Sequence, residues 1–132
     1  MNRTICYISK HAPALNDKAQ EDLFSFILEH NPPKHITGIL LSNQQFFLQV
    51  LEGNKNVLQE LFNSIIRDKR HFQILTVLDQ SIEKRIFEDY SAGFSILKTK
   101  EEFSRLNEYL SLYDHDQNYP KNIKTLLEPF LI

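Results

Sequence analysis

Polar and apolar positions alternate over residues 4–9, where Ile5, Tyr7 and Ser9 share one face and Cys6 and Ile8 the other, the period of a strand. His11-Ala12-Pro13 breaks it. The spacing then changes to that of a helix: Asn16 can cap a segment running to about residue 29, with Ala19, Leu23, Phe24 and Ile27 on one side. Pro32-Pro33 ends this helix and biases Asn31 towards an extended backbone. Residues 35–41 and 45–51 read as two strands joined through Ser42-Asn43-Gln44 as a hairpin. On the second of them Phe47, Gln49 and Leu51 share one face, and Phe46, Leu48 and Val50 the other. After the turn at Gly53-Asn54 comes a second helix, carrying the rows Val57, Leu61, Ile65 and Leu58, Phe62, Ile66. A fourth strand covers residues 72–78, and a short fifth strand is expected over 90–94, with Gly93 weakening it.

This order, β-α-β-β-α-β plus a short strand, predicts an α+β fold of ferredoxin-like type, one sheet with two helices on one face. Two C-terminal helices follow. Thr99 and Glu102 form a capping box before Phe103, Leu106 and Leu110, and Pro120 suits the first turn of a helix carrying Ile123, Leu126 and Leu127. They are expected to cover the other face of the sheet or to meet a partner.

The 132 residues suffice for one domain with one core. A net charge of -2 gives no polybasic field for nucleic acid or an anionic membrane. There is neither an apolar run of membrane-spanning length nor a secretory signal pattern, which makes the cytoplasm the expected compartment. A single cysteine, Cys6, rules out a disulfide framework and reads as a small core residue. His11, His35 and His115 lack metal-ligand spacing, and Asp114-His115-Asp116 reads as a solvated turn, so no metal is expected. With three glycines there is no phosphate-binding loop of the dinucleotide type.

Polar residues inside apolar strands need explanation. Gln49, within Phe46-Phe47-Leu48-Gln49-Val50-Leu51, must find partners for two donors and an acceptor if buried. Tyr7 is in the same position on the first strand. From the residues alone, the two either satisfy each other as a structural pair or face a ligand beneath the helices.

Five blocks along roughly the first hundred residues bear on that choice. They are Cys6-Tyr7-Ile8-Ser9; Asn31 followed after four residues by Ile36-Thr37-Gly38; Phe46 to Gly53; Asp68-Lys69-Arg70-His71; and Arg85-Ile86-Phe87 with Tyr90 and Gly93-Phe94. In order and spacing they resemble the BLUF family of flavin-based blue-light sensors. The resemblance implies a flavin-binding domain over residues 1–97 and a C-terminal helical extension over 98–132 packed on it. It implies a flavin, FAD with FMN as the alternative, held edge-on between the two helices. Tyr7 and Gln49 would then lie beside flavin N5 and O4 as the photoactive pair. Asn31 would bond the pyrimidine side, and His30 would edge it or simply suit a helix C-terminus. Leu23, Ile27 and Ile65 would form apolar walls, with Asp68, Arg70 and His71 near the ribityl chain and phosphates. Where the family usually has Trp and Met, this chain has Tyr90 and Ala92. Tyr90 is thereby a candidate second electron donor, and the route of the signal out of the site is open.

The resemblance implies a photoreceptor rather than an enzyme, with output through self-association into a homo-oligomer and through a separate regulator protein. A light-insensitive ferredoxin-like interaction module of the same descent is the alternative, distinguished by lack of flavin colour. A small acyl-phosphate hydrolase of similar topology is a third reading, but it would need an exposed-loop Arg beside a catalytic Asn, and the sequence offers no such pair. Glu52, just before a turn, reads as a ligand for backbone groups rather than as half of a carboxylate dyad with Asp68.

Overall fold

The computed structural model describes residues 1–112 together with Thr125 and Leu127. The elements are β1 (Asn2–His11), α1 (Asp17–His30), β2 (Thr37–Ser42), β3 (Phe46–Asn54), α2 (Lys55–Arg67), β4 (His71–Ile82), β5 (Phe94–Leu97) and α3 (Lys100–Ser111). The sheet runs β4-β1-β3-β2-β5. All pairings are antiparallel except β2 with β5. This is the expected ferredoxin-like α+β fold, with a fifth strand added at the β2 edge.

Each long helix starts on a polar side chain that takes up an otherwise unpaired N–H. Asn16 Oδ1 accepts from Ala19 N at 2.8 Å, Asn54 Oδ1 from Asn56 N at 2.9 Å, and Thr99 with Glu102 closes a capping box on α3. The hairpin between β2 and β3 turns on Asn43, whose Oδ1 accepts from the amides of Gln45 and Phe46. Asn31 is helical (φ -74°, ψ -47°), not extended as Pro32 alone would suggest. The chain continues into a short 3-10 turn over Pro32–Lys34, where Asn31 O accepts from the amides of both Lys34 and Ile36. Those two bonds outweigh the pre-proline bias.

The alternation of β1 and β3 sorts two cores onto the two sides of the sheet. Under α1 and α2 lie Ile5, Tyr7, Leu40, Phe47 and Leu51 with Phe24, Leu58 and Phe62. On the other side Cys6, Ile39, Leu41, Leu48 and Val50 meet Phe87 and the α3 residues Phe103, Leu106 and Leu110, with Leu127. Burial pushes the Cys6 thiol up to about 12, so it stays protonated and inert. Gly38 lets β2 approach β3. At φ 146°, a Cβ there would stand 1.9 Å from the Val50 carbonyl oxygen.

The fifth strand departs from the sequence expectation. Residues 91–93 form a tight turn in which Ser91, Ala92 and Gly93 all have positive φ, and β5 begins only at Phe94. Three successive left-handed residues cannot join a ladder, so Tyr90 and Ala92 precede the strand rather than lie on it. The expected last helix around Pro120, like Asp114-His115-Asp116, lies outside the described residues apart from Thr125 and Leu127, both helical.

Candidate functional site

A cavity of about 190 Å³ opens between α1 and α2 above the sheet. Its floor is set by strand register: Tyr7 of β1 lies opposite Gln49 of β3, and Gln49 lies opposite Leu40 of β2. Three neighbouring strands thus present Tyr7, Gln49 and Leu40 side by side on one face. Helical spacing supplies the walls, Leu23 and Ile27 from α1, and Leu61 and Ile65 from α2. Asn31 stands at the C-terminal end of α1, and Asp68, Arg70 and His71 at the junction of α2 and β4.

Tyr7 Oη donates to Gln49 Oε1 at 2.5 Å. Both residues are buried. Burial, reinforced by the negative charge of Asp68, pushes the Tyr7 phenol far above its ordinary value, so its ground state is a neutral hydrogen-bond donor. Phe62 stacks on the Tyr7 ring at 5.8 Å. Gln49 lines the cavity with its oxygen engaged by Tyr7, and no described residue accepts from its amide nitrogen. The side-chain amide of Asn31, also buried, likewise lines the cavity without a described partner. Two amides beside an apolar slot therefore have hydrogen bonds to offer.

The rim is organised by its own pairs. Arg70 Nε donates to both oxygens of Asp68 at 3.0 Å, and Arg70 Nη2 to Oδ2 at 2.6 Å. Burial works against the Asp68 charge. The guanidinium and backbone N–H of Arg70 overcome it and hold the carboxyl below its ordinary value. His71 is committed at both nitrogens. Nε2 donates to the Ile65 carbonyl at 2.7 Å, and Nδ1 meets Ser9 Oγ at 2.7 Å. A carbonyl can only accept, which fixes the proton on Nε2. His71 therefore ties the end of α2 to β1 while lining the cavity.

Of the residues expected at a ligand site, Tyr7, Leu23, Ile27, Asn31, Gln49, Ile65, Asp68, Arg70 and His71 line this one cavity. His30 does not; it bonds the Phe26 carbonyl through Nδ1 and stacks on the Phe26 ring, which does line the cavity. Tyr90 lies on the opposite side of the sheet, its ring 4.6 Å from Tyr109 and 6.3 Å from Phe87. Sequence reasoning passed over Phe26, Leu40, Phe47, Leu61 and Ser64. Leu61 was legible as the middle of the Val57, Leu61, Ile65 row, and Phe47 as the strand neighbour of Gln49 on its face. Leu40 required the β2–β3 register. No helix among the described residues is long and apolar enough to cross a membrane.

Residues 3–93 match the BLUF family, sensors of blue-light using FAD. A photoactivated adenylate cyclase subunit alpha from Euglena gracilis is 31% identical over 84 residues, 64% of this chain. The match spans only 8% of that curated relative. Klebsiella pneumoniae BlrP1, solved with FMN and cyclic diGMP, is 31% identical with a TM-score of 0.77, covering 99% of this chain and 34% of that one. The dark-state structure of BlrB, a BLUF protein, superposes with a TM-score of 0.72 at 27% identity and covers 98% of this chain and 95% of that one.

Proposed function

Because the chain belongs to the BLUF family of flavin-using blue-light sensors, we propose that it is a photoreceptor whose switch is the Tyr7–Gln49 pair and whose output passes through protein contacts. The observation that carries this reading is the cavity itself. The donor Tyr7 is bonded to Gln49 Oε1 at 2.5 Å, and Gln49 lines an apolar slot with no described acceptor for its amide nitrogen.

The cavity fits a flavin. Leu23 and Ile27 on one side, with Leu61 and Ile65 on the other, suit the faces of a flat ring. Gln49 and Asn31 suit its polar edge, and the Asp68–Arg70 pair at the rim suits a hydroxylated chain and its phosphate. A bound flavin supplies blue absorption and, when excited, a strong one-electron oxidant. Tyr7 would donate the electron to that flavin, and its phenolic proton would move along the bond to Gln49 Oε1. Gln49 then exchanges its donor and acceptor ends by rotation or tautomerisation. Return of the electron from the flavin and of the proton from Gln49 to Tyr7 would leave nothing consumed. What persists is a Gln49 amide with its hydrogen-bond roles reversed.

FAD is the proposed cofactor, with FMN as a second ligand of the same pocket. Residues 1–97 form the sensing unit under this reading, and 98–132 an extension through which it reaches a second copy and a separate regulator. Denaturing the purified yellow protein should release one flavin per chain, identified by chromatography. A colourless protein that takes up neither FAD nor FMN on reconstitution would return the Tyr7–Gln49 pair to a purely structural role.

A further inference from the structure

We infer that Glu52 and Tyr109 are positioning residues that latch the switch strand β3 to helix α3 through the single residue Ile86, forming the output coupling of this chain. The inference rests on the photoreceptor reading for its input and on independent contacts for its path.

Gln49 and Glu52 stand three residues apart on β3 and therefore face opposite sides of the sheet. Glu52 is buried and fully committed. Its Oε2 accepts from Ile86 N at 2.6 Å, and its Oε1 accepts from Phe87 N at 3.0 Å and from Thr37 Oγ1 at 2.8 Å. The carbonyl of the same Ile86 accepts from Tyr109 Oη on α3. One residue thus has its N–H held by the sheet and its C=O held by the helix. Hydrogen bonds in such a chain polarise one another, and the carboxylate makes the first of them strong.

Neighbouring contacts make this junction stiff where it should transmit and strained where it should yield. Arg85 bonds the His35 carbonyl and Asn2 Oδ1, anchoring the segment to the ends of β2 and β1. Phe87 is fully buried, and Tyr109 packs against both Phe87 and Tyr90. Just beyond, Ser91 and Ala92 hold left-handed backbone (φ 50° and 61°) that non-glycine residues seldom adopt. A strand shift at Gln49 would draw on Glu52, move the Ile86 peptide and load or release Tyr109. Rearrangement would be taken up in the strained turn.

The test is amide exchange across Lys100–Ser111 in the flavin-loaded full chain, with two perturbations at the switch: illumination, and Gln49→Leu in the dark. Each is applied in the wild type, in Tyr109→Phe and in Glu52→Gln. Tyr109→Phe keeps the ring and removes the hydroxyl; Thr99→Ala is a control that weakens the α3 cap without touching the latch. Each perturbation should change α3 exchange about threefold in the wild type and in Thr99→Ala, and by less than about 1.5-fold in Tyr109→Phe and Glu52→Gln. An α3 response of equal size with and without the Tyr109 hydroxyl, or no α3 response to Gln49→Leu, overturns the latch. If α3 responds to Gln49→Leu through Tyr109 but not to light, the latch stands and the photoreceptor reading fails. If light shifts the flavin band and α3 responds regardless of Tyr109, the reading stands and the latch fails.

Discussion

The two faces of the sheet are built from the same strands but to opposite ends. Under α1 and α2 the helices stand apart, and Tyr7, Gln49 and Asn31 are buried around a cavity with hydrogen bonds to offer. Under α3 the side chains close on one another. Leu48, Val50, Phe87, Leu106 and Leu110 are all buried, and the carboxylate of Glu52 is fully engaged by backbone amides and Thr37. One face forgoes packing to keep a site open; the other supplies the packing that holds the sheet in register beneath it. In a protein that signals, the first face would receive and the second transmit.

Equivalent truncations should separate the faces most sharply. Leu106→Ala deletes a fully buried side chain on the closed face and should cost about 2–5 kcal/mol in chemical denaturation. The flavin band of the folded fraction should keep its position. Ile65→Ala, on the wall of the open face, should cost far less stability in the flavin-free protein and should weaken flavin binding by about tenfold, read by titration. Equal stability losses at the two sites would erase the contrast.

A smaller effect distinguishes the two acidic groups. Burial raises the Glu52 carboxyl above its ordinary 4.5, against the bonds from Ile86, Thr37 and Phe87 and the Arg85 charge. Between 4.5 and that raised value the native form retains a proton that the unfolded form has lost, so its contribution to stability falls as pH rises through this window. Asp68 works in the opposite sense. Its lowered pKa contributes stability that is present above 3.8 and lost as pH falls through the native value. Glu52→Gln should remove the decline on the alkaline side of 4.5 and leave the acid-side loss in place, as followed by denaturation across pH. A curve with an unchanged decline would place the titration elsewhere.

The smallest effect belongs to Tyr90. It lies across the sheet from the cavity and packs on Tyr109, a placement from which no part in the first electron step is expected. Tyr90→Phe should leave the light-induced shift at full amplitude and change stability by no more than about 0.5 kcal/mol. A lost shift would restore it as a donor.

Much of this division was legible in the sequence because the strand period of two is unforgiving. Alternation in residues 4–9 and 45–51 put Tyr7 with Gln49 and Cys6 with Leu48, and the same faces recur in the structure. The capping signals at Asn16 and Thr99 were equally direct, since they depend on neighbours in sequence. What escaped depends on distant contacts or on backbone. The start of β5 was hidden by three positive φ angles at residues 91–93, which composition signals only at Gly93. Asn31 escaped because two later amides hold its carbonyl. Glu52 was read as a ligand for backbone groups near its own turn; its amides come instead from Ile86 and Phe87, more than thirty residues on.

The central claim is that Tyr7 and Gln49 form a light-driven hydrogen-bond switch. The light-minus-dark absorption spectrum of the flavin-loaded protein tests it most directly, recorded for the wild type, Tyr7→Phe and Gln49→Leu. The wild type should show a small red shift of the flavin band that decays in the dark. Both variants should keep the flavin and lose the shift entirely, one lacking the phenolic proton and the other lacking an amide to exchange. A wild-type shift that persists in either variant, or a flavin-loaded wild type that does not shift at all, would contradict it.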